Sequence, residues 1–344
     1  MKFRSLLMVG AFALTVAGGS AYAAEVDIKL SYWVPPSHPL TPGYKDWAAS
    51  VEKASGGTIK TTLYPSSQLG SGKDHYDMVK RGIAGYGLIN PGYTPGRFPV
   101  IGASDLPFTI RDSLGGARAL TRWYKSKYAQ KEMGDSYVCH VYTHDQATIH
   151  TTKKAVHVPD DVKGLKIRSA NQTMSRFITA IGGTPVQVPI MEAKDTLEKG
   201  ITDGITVTTD GIAKTSVFSF GEVVKYTLNT PLYVSTFVEN INKRLYEGMD
   251  AAQRKVIDDH CTPEWTVKVY KYWYDDAKAD LKDAWSNLPG HTWYQPTEDE
   301  MKLWFAAAEP VVQQWKDSVK KAGWDPDVVL NELKDELKKE KALF

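Results

Sequence analysis

The sequence predicts an α/β fold built as two units, with a long helix able to reach across both. Three observations carry this expectation. Strand-like and helix-like segments alternate over residues 26–89, alternate again over 136–208, and then give way to a run of helices. In the first stretch Val26, Ile28, Leu30 and Tyr32 alternate with other residues, as in a strand, until Pro35-Pro36-Ser37-His38-Pro39 breaks it with a rigid turn. A helix is expected over 43–53, stopped at Gly56-Gly57, then a strand over 58–64, a helix over 73–82 and a short strand over 84–89. The second stretch repeats the pattern. Strands are expected over 136–142, 164–168, 184–188 and 205–208, and helices over 169–181 and 191–199, with Asn171 as a cap and Gly182-Gly183 as a stop. Alternation of this kind implies parallel or mixed sheets covered by helices, and the two units meet near Asp145. In the last third, Trp265, Val269, Tyr272 and Trp273 recur at helical spacing behind Pro263, a residue suited to a first helical turn. A helix over 263–287 would be about 37 Å long at 1.5 Å per residue, enough to cross both units. Further helices are expected over 298–321 and 326–341.

The N-terminus carries its own signal. Met1-Lys2-Phe3-Arg4 is short and positive, residues 6–17 are apolar, and Ala21-Tyr22-Ala23 ends a run of small residues. That order is expected of a cleaved secretory signal over 1–23, since the apolar run falls short of the roughly 20 residues of a spanning helix. Cleavage would take the basic count from 42 to 40, equal to the 40 acidic residues. A balanced chain offers no electrostatic footing for nucleic acid or an anionic membrane. Ten Trp and eighteen Tyr are many for this length, and aromatic side chains fill cores and line ligand clefts alike. The two cysteines, Cys139 and Cys261, could pair in an oxidising compartment or stay apart as buried thiols; sequence leaves both open.

The enzyme and metal motifs are missing. No Gly-x-Ser-x-Gly elbow and no His-Glu-x-x-His pair occurs. Gly70-Ser71-Gly72-Lys73 is a poor phosphate loop, because the first Gly is absent and Asp74 stands where a magnesium-binding hydroxyl is needed. His140, His144 and His150 have the even spacing of one strand face but no accompanying carboxylate at ligand spacing, so hydrogen-bonded structural histidines are the favoured reading. Arg168 stands out among single residues. It ends the apolar strand segment Leu165-Lys166-Ile167, and ligands of open α/β sheets bind outside the carboxyl ends of strands. Its planar fork matches a carboxylate, although a surface ion pair would explain its position equally well.

Several segments decide between these readings. Tyr64-Pro65-Ser66-Ser67-Gln68-Leu69-Gly70, Asp105-Leu106-Pro107-Phe108, the stretch from Val158-Pro159-Asp160 to Lys166-Ile167-Arg168, Gly182-Gly183-Thr184-Pro185, and Leu197-Glu198-Lys199-Gly200-Ile201-Thr202-Asp203-Gly204 stand in this order. Together they resemble the substrate-binding subunit of TRAP (tripartite ATP-independent periplasmic) transporters, DctP type, over essentially the whole mature chain. The resemblance implies a two-lobed α/β clamshell of the periplasmic-binding-protein kind, with mixed sheets and a long helix crossing both lobes. On that plan, 24–145 with about 233–273 would form one lobe and 146–232 with about 274–344 the other. It also implies closure around an organic acid, with Arg168 gripping the carboxylate. No enzyme activity, cofactor or metal is expected; the partners would be the ligand and the transporter's membrane subunits, and the protein a periplasmic monomer.

Two departures shape the expected ligand. Members of that family often follow the Asp-Gly with Glu-Asn, whose Asn contacts ligand; here Asp203-Gly204-Ile205 leads to Thr206 and Val207, so that polar contact is lost. Some members carry a second Arg about twenty residues before the first, a position that falls near Thr148. A single guanidinium suits a single carboxylate, because an unpaired buried charge costs several kcal/mol. The expected ligand is therefore a monocarboxylate, aromatic or hydroxylated. The remaining cleft candidates are Trp33 and Tyr93 for stacking, and His38, His144 and Asp145 for polar contacts, with a histidine as a weaker second anion contact. A ligand-sensing protein for a membrane receptor and a secreted hydrolase are the alternative classes; the second needs a nucleophile–base pair that no motif marks.

Overall fold

The computed structural model describes residues 24–344; the expected signal segment, 1–23, lies outside them. Strand β1 (Val26–Ser31) buries Ile28 and Leu30 and exposes Asp27 and Lys29, which is the alternation visible in sequence. It pairs in parallel with β2 (Ile59–Tyr64) and β3 (Tyr86–Ile89). The later strands β4 (Ser136–Thr143) and β10 (Thr236–Asn242) complete this first sheet, β10 lying antiparallel between β3 and β4. The second sheet has the order β11-β9-β5-β8-β6-β7, from β5 (Ala147–Thr151), β6 (Lys166–Ser169), β7 (Thr184–Gln187), β8 (Gly204–Thr208), β9 (Tyr226–Leu228) and β11 (Thr292–Tyr294). Here β6 runs parallel to β7 and β8, while β5 runs antiparallel to β8 and β9. Both sheets are mixed, and each is covered by helices.

Three crossings join the two sheets. The chain passes from β4 to β5 through residues 144–146 and returns from β9 to β10 through 229–235. These two segments bond to each other: His144 N–H donates to Ser235 O at 3.1 Å, Ala147 N–H to Tyr233 O at 3.0 Å, and Leu232 N–H to Ala147 O at 2.9 Å. The third crossing is the helix Pro263–Asn287, which matches the expected span. Thr262 caps it, and Pro263 occupies the first turn, where no backbone donor is required. Its first half buries Val269, Tyr270 and Trp273 against the first sheet's core; Ala284 joins the second sheet's cluster, and Asp280 and Asp283 take hydrogen bonds from Thr215 and Lys214.

The C-terminus differs from the expected division, which put about 274–344 with the second lobe. The helix Glu298–Lys321 bridges both sides: Trp304 Nε1 donates to His157 O at 3.0 Å and Trp315 Nε1 to Pro99 O at 2.9 Å. The last helix, Pro326–Lys339, packs on the first-sheet side against Ser113–Trp123. Its stripe of Val329, Leu333 and Leu337 is buried there, and Glu336 and Glu340 pair with Arg122 and Arg118. The covalent question left open by sequence is settled by proximity: Cys139 on β4 and Cys261 before the long helix form a disulfide, with Cα atoms 4.5 Å apart.

Candidate functional site

A cleft partly open to solvent lies where the two sheets face each other across the crossings. Seven of the eight residues singled out from sequence line it: Trp33, His38, Tyr93, His144, Arg168, Thr206 and Val207. Asp145 does not. Its carboxylate accepts from Ser113 Oγ at 3.2 Å and from Gln146 N–H at 2.9 Å, and it faces a neighbouring cavity beside Asp210 and Trp285. Its backbone carbonyl instead serves the cleft indirectly, by holding His144.

Arg168 is the penultimate residue of β6, and its side chain is 1% exposed. Nε and Nη2 both donate to Val188 O, at 3.0 and 2.9 Å, and Nη1 donates to Thr206 O at 3.2 Å. A guanidinium has five N–H groups, so two stay without a protein acceptor. No carboxylate forms an ion pair with Arg168 among the described residues. A buried cation clamped by two carbonyls but lacking a counter-charge is costly until it is paired, which makes Arg168 a candidate anion site. Thr206 holds this cation: its carbonyl takes Nη1, and its hydroxyl accepts from Ala170 N–H at 3.1 Å.

The cleft histidines, one of which was expected as a weaker second anion contact, carry no charge. His144 donates from Nδ1 to Asp145 O at 2.6 Å and accepts at Nε2 from Ser235 N–H at 3.1 Å, which ties the two crossings together and uses both ring nitrogens. Burial, with the nearby Arg168 charge adding to it, pushes His144 down to about 4. His38 is pushed down to about 3 by burial alone. Both rings are neutral at physiological pH, so Arg168 is the cleft's only cation among the residues lining it. The other histidines of the expected strand set are bonded within the protein, His140 to Thr266 Oγ1 and His150 to Thr227 Oγ1. Among the described residues no three His, Cys, Asp or Glu converge as metal ligands.

The walls are aromatic. Trp33 packs on Tyr93 and Phe237, with ring centroids 5.9 and 6.1 Å apart, and Phe237 lies 5.6 Å from Trp273. Val207, at the position where many relatives place an Asn, adds apolar surface. Thr148, at the position of a second Arg in some of them, bonds Leu228 O and lies outside the cleft. Two buried donors there have no protein partner, Trp33 Nε1 and the Tyr233 hydroxyl. Tyr233, Phe237, Trp273 and Phe218 were not foreseen as cleft residues. Trp273 showed only as part of a helical stripe, while the other three carried no motif in sequence.

The lobes touch directly around the cleft mouth. Ile190 N–H donates to the Tyr93 hydroxyl at 3.1 Å, Gln187 Nε2 to Gly92 O at 2.7 Å, and Gly96 N–H to Gln172 Oε1 at 2.9 Å. At Gly92 a Cβ would fall 2.3 Å from Asn171 Cβ, so the close approach requires glycine. The structure is thus a closed clamshell, and Tyr93 acts as a latch as well as a wall. Tyr93→Phe is expected to weaken ligand binding about fivefold, since one net hydrogen bond worth about 1 kcal/mol is lost from the closed form only. Calorimetric titration of the two proteins checks this; equal affinities would remove the latch role.

Two sheets joined by hinge segments, closing over a buried, unpaired cation, define a two-lobed solute-binding protein. The chain belongs to the bacterial extracellular solute-binding protein family 7 (DctP), whose model matches residues 30–318. These are substrate-binding subunits of transporters, not enzymes. Among solved structures, the chain is similar to a TRAP solute-binding protein from Rhodoferax ferrireducens T118 in complex with copurified benzoate, at 26% identity and a TM-score of 0.83 over 92% of this chain and 98% of that one. It is also similar to a marine metagenome TRAP solute-binding protein specific for aromatic acid ligands, in complex with metahydroxyphenylacetate, at 27% identity and a TM-score of 0.84 over 92% and 99%. Among characterised sequences, the C4-dicarboxylate-binding periplasmic protein DctP of Rhodobacter capsulatus is 23% identical over 315 residues, 88% of this chain and 91% of that one.

Proposed function

We propose that this protein is the periplasmic subunit that captures an aromatic monocarboxylate and delivers it, in the closed form, to the membrane subunits of a TRAP-type transporter. The observation that carries the ligand class is Arg168: one buried guanidinium with two free N–H groups, at one end of a cleft whose other walls are aromatic and aliphatic. The carboxylate would take those two N–H groups. The Tyr233 hydroxyl, buried in the cleft lining without a hydrogen-bond partner, is a further donor. The flat body would lie against Trp33, Phe237 and Trp273. A dicarboxylate would bury a second charge against neutral rings, which is costly. Similarity to the benzoate and metahydroxyphenylacetate complexes supports the same class.

Function follows from the closure. A ligand that touches both lobes only when they meet stabilises the closed form, and that shape is what a membrane partner can recognise. The test is a thermal-stabilisation screen followed by calorimetry, with benzoate, phenylacetate and mandelate set against succinate, malate and fumarate. Stabilisation by the aromatic acids is expected; stabilisation by the dicarboxylates alone would sink the assignment.

A further inference from the structure

We infer that His38 reads a second, uncharged oxygen on the edge of the ligand's aromatic body, and so selects ring-hydroxylated acids over unsubstituted ones. This rests on the reading of the cleft as an aromatic monocarboxylate site. The first support is the tautomer. Leu40 N–H donates to His38 Nδ1 at 3.2 Å, so Nδ1 is an acceptor and the ring hydrogen sits on Nε2. That N–H has no acceptor among the described residues, and the side chain lines the cleft. A ligand oxygen there would give it one.

The second support is placement. A chain of ring contacts along the cleft ends at His38: His144 to Phe237 at 6.0 Å, Phe237 to Trp273 at 5.6 Å, Trp273 to His38 at 4.9 Å. A ligand ring lying along Phe237 and Trp273 would therefore bring an edge to His38. It is held edge-on between Trp273 of the long helix and Phe218, 6.0 Å away on the opposite lobe, which fixes the direction of its N–H. The third support is charge. A neutral N–H among aromatic rings suits a phenol oxygen and offers nothing to balance a second carboxylate.

The experiment is a calorimetric titration of wild type, His38→Phe and His38→Gln with benzoate, 3-hydroxybenzoate and 4-hydroxybenzoate. The readout is the ratio of affinities within each protein, which a general loss of packing at position 38 does not change. The wild type is expected to prefer one hydroxybenzoate over benzoate by about fivefold, the worth of one added hydrogen bond. His38→Phe should bring the ratio to about one, and His38→Gln, which keeps an N–H donor, should retain part of it. A wild type without preference, or a preference that survives in His38→Phe, overturns the inference. If His38→Phe does not fold, a His38→Gln ratio as large as or larger than wild type does the same. Failure of the underlying site looks different: none of the three acids would bind the wild type, while a dicarboxylate would.

Discussion

Arg168→Ala is expected to weaken binding of an aromatic monocarboxylate by about 2–5 kcal/mol, roughly 30-fold to 5,000-fold, in a calorimetric titration. The size follows from burial. The carboxylate leaves water for a site where the guanidinium is the only full positive charge in the lining, so no neighbour can replace it. Part of the loss is structural, because Val188 O and Thr206 O lose their donors with the side chain. Arg168→Lys separates the two contributions. It keeps the charge, but an ammonium cannot serve Val188 O, Thr206 O and both carboxylate oxygens with a planar fork, so an intermediate affinity is expected. Arg168→Ala binding as tightly as the parent would show that the anchor lies elsewhere.

Glu239→Ala should destabilise the protein by about 3–5 kcal/mol in denaturant unfolding, without touching the cleft. Glu239 lies in the middle of β10, fully buried, and its carboxylate accepts from the hydroxyls of Tyr44 at 2.8 Å, Tyr142 at 2.7 Å and Tyr86. Alanine leaves three buried phenols without their acceptor. Glu239→Gln keeps an acceptor oxygen and drops the charge, so a smaller loss is expected. It also changes the pH dependence. Burial raises the Glu239 carboxyl above the usual carboxylate range, against the lowering by the three phenols. A raised acid stabilises the fold while it is protonated, below its unfolded-state value, and that contribution is lost as pH climbs through the folded-state value. The wild type should therefore lose stability relative to Glu239→Gln as pH rises from about 4 towards neutrality. Parallel stability profiles for the two proteins would show that Glu239 is not raised.

The same strand shows why part of the fold was hidden. β10 reads Thr-Phe-Val-Glu-Asn-Ile-Asn, with Glu239, Asn240 and Asn242 where a central strand usually has apolar residues, so no periodicity marks it. Its polar groups take distant partners: Glu239 accepts from the tyrosines and Asn240 Nδ2 donates to Ser136 Oγ at 2.7 Å. Strands such as β1 were legible because only one face is buried and the alternation survives in the letters. Arg168 was legible as a strand-end guanidinium within segments that resemble a known family. Tyr233 and Phe237 were not, because they reach the cleft from the returning crossing and the strand after it, and nothing local distinguishes an aromatic on such a segment from one in a core.

By itself the sequence determined the α/β class, the span of the long helix from Pro263 to Asn287, the cap at Asn171 and the candidacy of Arg168. All of these depend on neighbours within a few residues, or on a contiguous motif, and so leave a local signature. The tertiary structure alone decided that Cys139 bonds Cys261 across 122 residues, that Pro326–Lys339 returns to the first-sheet side, that Asp145 turns out of the cleft and that His38 and His144 are neutral. Each of those depends on which distant groups burial brings together. Burial and pairing set charge states, disulfides and site membership, and neither is written in the spacing of residues along the chain.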